Sequence, residues 1–139
     1  MKKKLIKKKI SIFGSSGMLG TYLVKKLKEK GFTNLNLPKK NDLNLLNENK
    51  VQEYFKKIKP DIVINLAAKN AGALIIQRNK FEYLYQNTEI SQNLIFACYK
   101  NNTNIFLNIS SASAYPNNKL KNKEEDILSG KLEKASEPY

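Results

Sequence analysis

Ile10-Ser11-Ile12-Phe13-Gly14-Ser15-Ser16-Gly17-Met18-Leu19-Gly20 decides how the rest of the chain is read. Ile10 to Phe13 is a short run with apolar residues on both faces, which suits the buried centre of a parallel sheet. Glycines then stand three apart at 14, 17 and 20. From Met18 to Lys30 the apolar period becomes helical, with Leu19, Leu23 and Leu27 four apart and lysines on the other side. Gly31 ends that helix. Where a strand turns through glycines into a helix N-terminus, an anion can reach backbone N–H groups, because no Cβ blocks the way and the helix dipole favours negative charge. Placed after the first strand and before the first helix, the pattern predicts a site for a dinucleotide pyrophosphate.

Working outward, Thr33 to Leu37 reads as a second, weaker strand stopped by Pro38, and Asp42-Leu43-Asn44-Leu45-Leu46 as a short strand fragment. Val51, Tyr54, Phe55 and Ile58 follow at helical spacing until Pro60-Asp61 breaks the pattern, and Ile62 to Leu66 is the best strand in the chain. Ala67 to Gly72 is small and loop-like. Phe81 to Lys100 reads as a long amphipathic helix carrying Leu84, Tyr85, Leu94, Ile95 and Cys98, and a strand from Asn104 to Ile109 runs into Ser110-Ser111-Ala112-Ser113-Ala114-Tyr115-Pro116. Beyond Pro116 the chain is polar and irregular, so 117–139 is expected to be a loop or disordered tail. The unbroken alternation of strand and helix predicts a Rossmann-type, doubly wound parallel α/β sheet of about four or five strands. The 139 residues amount to one domain.

Composition narrows the function classes. The net charge of +13 could serve a polyanion, but lysines are spread over every helix, Arg78 is the one arginine, and no recognition motif with interleaved aromatics accompanies them. A dedicated nucleic-acid partner is therefore not expected. The absence of histidine and the single cysteine, Cys98, remove nearly every zinc pattern, so no metal is expected. Met1 to Lys9 has the basic start of a signal peptide but no apolar run of about 7–15 residues behind it. No later run reaches about 18 apolar residues. The expectation is a cytoplasmic protein without a membrane partner.

Several linked motifs carry a resemblance to a known family. Gly14-x-x-Gly17-Met18-x-Gly20, Asp42-Leu43-Asn44-Leu45-Leu46, Ala67-Ala68-Lys69, Tyr85-Gln86-Asn87, Ser111-x-x-x-Tyr115-Pro116 and the terminal Tyr139 resemble, in order and spacing, the extended short-chain dehydrogenase/reductases of the NAD-dependent epimerase/dehydratase type. Within that family the pattern is most similar to the GDP-L-fucose synthases. The resemblance implies that Gly14, Ser15, Ser16, Gly17, Met18, Leu19 and Gly20 hold the cofactor pyrophosphate. It implies further that Lys40 stands near the adenosine ribose, that Asn44 and Leu45 border the adenine, and that Ala67, Ala68, Ile109 and Ser110 line the dinucleotide groove. A cation at Lys40 suits a 2′-phosphate, so NADP(H) is expected ahead of NAD(H). Ser16 departs from the pattern, since the similar relatives carry a basic residue there.

By the same resemblance Ser111 is the catalytic serine that hydrogen-bonds a sugar carbonyl, and Tyr139 the tyrosine that passes a proton as hydride moves. A free phenol has a pKa near 10, so only about one in a thousand is ionised at pH 7. The family answers this with a lysine four residues on, which would lie beyond Tyr139. Ser113 stands where the GDP-L-fucose synthases carry a cysteine that exchanges a proton at carbon, and their histidine would also lie beyond Tyr139. The implied function is NADPH-dependent epimerisation and reduction of a GDP-4-keto-6-deoxy sugar, in a homodimer when the family's chain is whole. This chain is expected to be its cofactor-binding part, without the C-terminal half and substrate domain, and inactive alone. Two alternatives stay open: another nucleotide-sugar 4-reductase, epimerase or dehydratase, and a non-catalytic dinucleotide-binding module.

Overall fold

A computed structural model describes residues 5–116 and 121–132. The elements alternate as a parallel α/β sheet requires: β1 (Ile10–Phe13), α1 (Met18–Glu29), β2 (Leu35–Asn36), α2 (Glu48–Ile58), β3 (Ile62–Asn65), α3 (Ala73–Arg78), α4 (Lys80–Lys100) and β4 (Ile105–Asn108). Short 3-10 turns follow at Ala112–Ala114 and Glu124–Asp126. The described residues divide into two units, 5–68 with 89–109, and 69–88 with 110–116 and 121–132. The sheet belongs to the first unit.

All strand pairs are parallel and the order is β2-β1-β3-β4. Ile10 to Phe13 pair in register with Ile62 to Asn65, which pair in turn with Ile105 to Asn108. Because the chain moves from β1 to one side and then returns past it to β3, the winding direction reverses between β1 and β3. In open α/β sheets that reversal, at the carboxyl ends of the strands, is where ligands bind.

Strand alternation explains the two-layered core. Ile10, Ile12, Ile62 and Ile64 face one way and meet Leu23, Val24 and Leu27 of α1 together with Phe32, Leu35, Leu37 and Leu66. Phe13 and Val63 face the other way and meet Val51 and Phe55 of α2, Leu94, Ala97 and Cys98 of α4, and Leu43. Phe13 stacks on Phe55 with ring centroids 6.0 Å apart and meets Tyr54 edge-on at 5.7 Å. The buried Ser11 hydroxyl is 3.0 Å from the Tyr54 hydroxyl, which satisfies a polar group in the core. Burial pushes the Tyr54 phenol up from its ordinary pKa, with the Ser11 hydrogen bond pulling the other way. At the amino ends of the strands, Asp61 accepts from Lys8 Nζ (2.7 Å) and from the Lys9 N–H (2.9 Å). The Lys8 hydrogen bond is the main cause that holds the Asp61 carboxyl below its ordinary range.

Several local expectations are corrected. The second strand shrinks to Leu35–Asn36. Asp42 to Leu46 forms turns rather than a strand, because its backbone donors are used locally: the Asp42 and Leu43 N–H groups both return to Lys39 O at 3.0 Å, and the Leu46 N–H goes to Asn44 Oδ1 at 3.1 Å. Leu43 and Leu45 alternate because each packs separately against the α2–α4 side of the sheet. α3 was not anticipated. Leu19 is exposed at the start of α1, whose packing begins at Leu23, and α4 buries Tyr83, Asn93, Leu94, Ala97 and Cys98 while Leu84, Tyr85 and Ile95 are exposed. In the tail, the Lys123 N–H donates to Asp126 Oδ2 at 2.9 Å across the second 3-10 turn. Residues 117–120 and 133–139 lie outside the described residues.

Candidate functional site

The three glycines of the first loop serve different ends. Gly14 has φ +78°, a left-handed conformation, and a Cβ there would stand 2.7 Å from the backbone of Leu66 and Ala67. A Cβ on Gly20 would stand 2.2 Å from Gly14 O and 2.7 Å from Ser15 Cα. The first glycine therefore lets β1 turn beside the end of β3, and the third lets α1 close onto the loop. Gly17 is different: its backbone is extended (φ −73°, ψ 171°), and a Cβ would meet only Gly14 O, at 3.3 Å. The fold demands less of glycine here than at 14 or 20, since the Gly14 carbonyl would have to give by only a few tenths of an ångström.

Gly17 also caps α1 without a side-chain hydrogen bond, and no acidic residue occupies the first turn. Its own N–H donates to Gly14 O (3.1 Å), while the N–H groups of Met18, Leu19 and Gly20 have no acceptor among the described residues. Bare donors at the positive end of a helix, reached over a residue with no side chain, form an anion cradle that suits a pyrophosphate. Ser15, half-buried, and Ser16, exposed, flank it.

The opposite wall is the end of β3. The Leu66 N–H donates to Phe13 O (3.0 Å) and the Ala67 N–H to Asn65 Oδ1 (3.0 Å), so the chain leaving β3 is held beside the glycine loop. Ala67 is half-buried and Ala68 exposed. Asn65, only 4% exposed, donates through Nδ2 to Asn108 Oδ1 at 2.8 Å, and Asn65 O accepts from the Ile109 N–H at 3.2 Å. These asparagines clamp the carboxyl ends of β3 and β4. Sequence reasoning gave them no role, although both strands end alike, in Ile62-Val63-Ile64-Asn65 and Ile105-Phe106-Leu107-Asn108.

Beyond β2, which pairs in parallel with β1, the chain emerges at the same carboxyl edge of the sheet. Lys40 is exposed there and makes no ion pair among the described residues. Asn44 is exposed, with its Oδ1 engaged by Leu46. Leu45 is half-buried, and its carbonyl accepts from Asn93 Nδ2 at 2.8 Å, which ties this stretch to α4. The glycine loop, Ala67, Ala68, Lys40, Asn44 and Leu45 thus share one unit and one end of its sheet.

In the second unit, Ser111 caps the turn Ala112–Ala114, its hydroxyl accepting from the Ser113 N–H at 3.2 Å. One lone pair is occupied; the O–H remains available to donate to a carbonyl oxygen. Ser110 is exposed and Ser113 half-buried. The Ser113 hydroxyl has no hydrogen-bond partner among the described residues. Within the same unit, Asn87 clasps the backbone of Lys69, accepting from its N–H (2.7 Å) and donating to its carbonyl (3.0 Å). The Lys69 ammonium pairs with Glu82 and lies 5.1 Å from the centre of the Tyr83 ring. Tyr139 lies outside the described residues.

Cys98, the one thiol, is buried, and burial pushes its pKa up to about 11. Among the described residues no three acidic, His or Cys side chains gather to hold a metal, and no helix is long and apolar enough to cross a membrane.

The profile of the NAD dependent epimerase/dehydratase family matches residues 10–139. GDP-L-fucose synthase of Escherichia coli (strain K12) is 33% identical over 134 residues, covering 96% of this chain and 42% of that protein. Among solved structures, MlghC, a GDP-mannoheptose C4 reductase from Campylobacter jejuni with NADP bound, superposes with a TM-score of 0.88 at 34% identity, covering 94% of this chain and 42% of the other. A GDP-D-glycero-L-gluco-heptose synthase from the same organism, solved in the presence of NADPH, gives the same score and identity over 94% of this chain and 38% of its own. The chain spans about two fifths of the length of the curated relatives it matches.

Proposed function

Because this chain belongs to the NAD dependent epimerase/dehydratase family, we propose that it carries the NADPH-binding part of a cytoplasmic reductase acting on the keto group of a GDP-linked sugar. The observation that carries the reading is Gly17, the glycine of the loop that the fold needs least, beside three bare N–H groups at the start of α1. The pyrophosphate is held there. The end of β2 supports NADPH over NADH: it lacks the acidic residue that receives an unphosphorylated ribose, and Lys40 offers a free ammonium instead. The GDP sugar is supported by relatives whose own names specify GDP-linked substrates.

NADPH supplies a hydride to the keto carbon. The chain's own contribution is to fix the cofactor on the glycine loop and to hold the sugar carbonyl through the Ser111 hydroxyl, whose orientation is set by the Ser113 N–H. Tyr139, by its match to the family's tyrosine, delivers the proton to the sugar oxygen.

Reduction is better supported than epimerisation at a neighbouring carbon. That step needs a base able to take a proton from carbon, and Ser113 has no side-chain partner to activate it among the described residues. The thiol of Cys98 is buried and protonated at neutral pH.

Calorimetric titration of the purified 139-residue polypeptide tests the reading. NADPH binds with Lys40→Ala weakening it, and no GDP-4-keto-6-deoxymannose is turned over by this polypeptide alone. Absence of NADPH binding by folded protein refutes the cofactor site, and measurable turnover refutes the division of labour. A homodimer is supported by Ile95, Phe96 and Tyr99, which are exposed together on α4. Sedimentation of a Tyr99→Lys variant as monomer, against a dimeric parent, checks it.

A further inference from the structure

The turn that carries Lys40 is more constrained than its exposure suggests. Pro38 fixes the chain before it, and Leu43, 7% exposed, anchors the far end in the core. Between them, Lys39 O accepts the N–H groups of Asp42 and Leu43, both at 3.0 Å, and the Lys39 N–H donates to Asp42 Oδ2 at 3.2 Å. Asp42 thus grips the start of the turn with its side chain and with its own N–H, leaving Lys40 as the first residue inside the loop.

We propose that Asp42 is a positioning residue for nucleotide selection, bracing the Lys39–Leu43 turn so that Lys40 meets a 2′-phosphate. The inference rests on the NADPH reading above. It has two physical parts. First, the acid nearest the end of β2 is engaged with its own backbone. The next acids along the chain are Glu29, paired with Lys26 at 2.7 Å, and Glu48, in the first turn of α2. None of these acids forms an ion pair with Lys40 among the described residues. Second, a turn already held in shape spares the ordering entropy that a loose loop surrenders when it closes on a ligand.

The test compares Asp42→Asn with Asp42→Ala. Both remove the negative charge, which by itself favours a phosphorylated nucleotide, but only Asn keeps an oxygen that can accept the Lys39 N–H. The difference between the two variants therefore isolates the brace. Dissociation constants of NADPH and NADH are measured on the 139-residue protein, with melting temperature as a control and Lys40→Ala alongside.

The expected result is NADPH binding about fivefold weaker in Asp42→Ala than in Asp42→Asn, the worth of roughly one net hydrogen bond, with NADH equal in the two. Equal NADPH affinities in both variants overturn the inference. So does a parallel loss of NADPH and NADH, which is what a merely structural role produces. Wild-type protein that binds neither nucleotide overturns the NADPH reading and this inference with it. An NADPH preference abolished by Lys40→Ala but kept in Asp42→Ala leaves the reading standing and removes Asp42 alone.

Discussion

Replacing Gly17 and Gly20 by alanine separates a glycine kept for a ligand from a glycine kept for the fold. At Gly17 the added methyl lies on an extended backbone and meets one atom, Gly14 O, at 3.3 Å. The stability change stays within about 1 kcal/mol, since the lost N-cap preference for glycine is offset by the lower entropy of the unfolded alanine chain. On the proposed reading the same methyl would crowd a pyrophosphate approaching the N–H groups of Met18, Leu19 and Gly20. Losing one hydrogen bond to a charged group, about 1.5–3 kcal/mol, weakens NADPH on the order of 10- to 150-fold. At Gly20 the methyl would lie 2.2 Å from a carbonyl oxygen, about 1 Å inside the closest ordinary C···O approach. Helix and loop must part, at a cost of about 1–3 kcal/mol or more. Calorimetry with NADPH and thermal melts on both variants read the two effects. Gly17→Ala should melt near the parent and fail to bind tightly; Gly20→Ala should melt several degrees lower. Gly17→Ala binding NADPH within twofold of the parent refutes the cradle, and equal destabilisation by the two variants shows that Gly17 is structural.

Tyr54→Phe strands the buried Ser11 hydroxyl and should destabilise by about 1–2 kcal/mol; in a urea-denaturation cycle with Ser11→Ala, the double variant should lose less than the sum of the singles. Asp61 has a lowered carboxyl pKa in the folded chain, so its contribution is present above the unfolded value and fades as pH falls through the folded one. Asp61→Asn should therefore flatten the acid limb of the stability curve below about pH 4, and an unchanged slope in urea midpoints would refute this. The Cys98 thiol, buried with its pKa near 11, should resist a thiol reagent at pH 8 in native protein and react once unfolded; equal labelling rates in the two states would contradict its placement.

What the sequence made legible was local. The glycine spacing lies within one strand-turn-helix unit, so Gly14, Gly17 and Gly20 could be placed before any tertiary contact was known, and the apolar runs at Ile10 and Ile62 could hardly be anything but central strands. What stayed hidden depended on partners distant in the chain. Asp42 to Leu46 has the alternation of a strand, but alternation cannot reveal that the Asp42 and Leu43 N–H groups will find Lys39 O instead of a neighbouring strand. The buried face of α4 could not be read from composition, since Leu84 and Ile95 are as apolar as Leu94; which of them is buried depends on how the helix is rotated about its axis. The Asn65–Asn108 clamp joins residues 43 apart and needed the β3–β4 register to be seen.

The distribution of charge supports the proposed reading from a different direction. Charged residues make up 27% of the chain, yet none stands between Lys9 and Lys25, nor between Lys100 and Lys119. The first gap holds β1 and the glycine loop; the second holds β4 and the Ser110–Ser113 segment. Burial accounts for β1 but not for Ser16, Met18, Leu19, Ser110 and Ser111, which are all exposed. Positive charge is instead placed around this edge of the sheet, at Lys39 and Lys40, and over the outer faces of the helices. A surface built to follow a nucleic-acid backbone would spread lysine across its binding edge. Here the net charge of +13 skirts the neutral segments, which fits the proposed grip on a dinucleotide through backbone N–H groups.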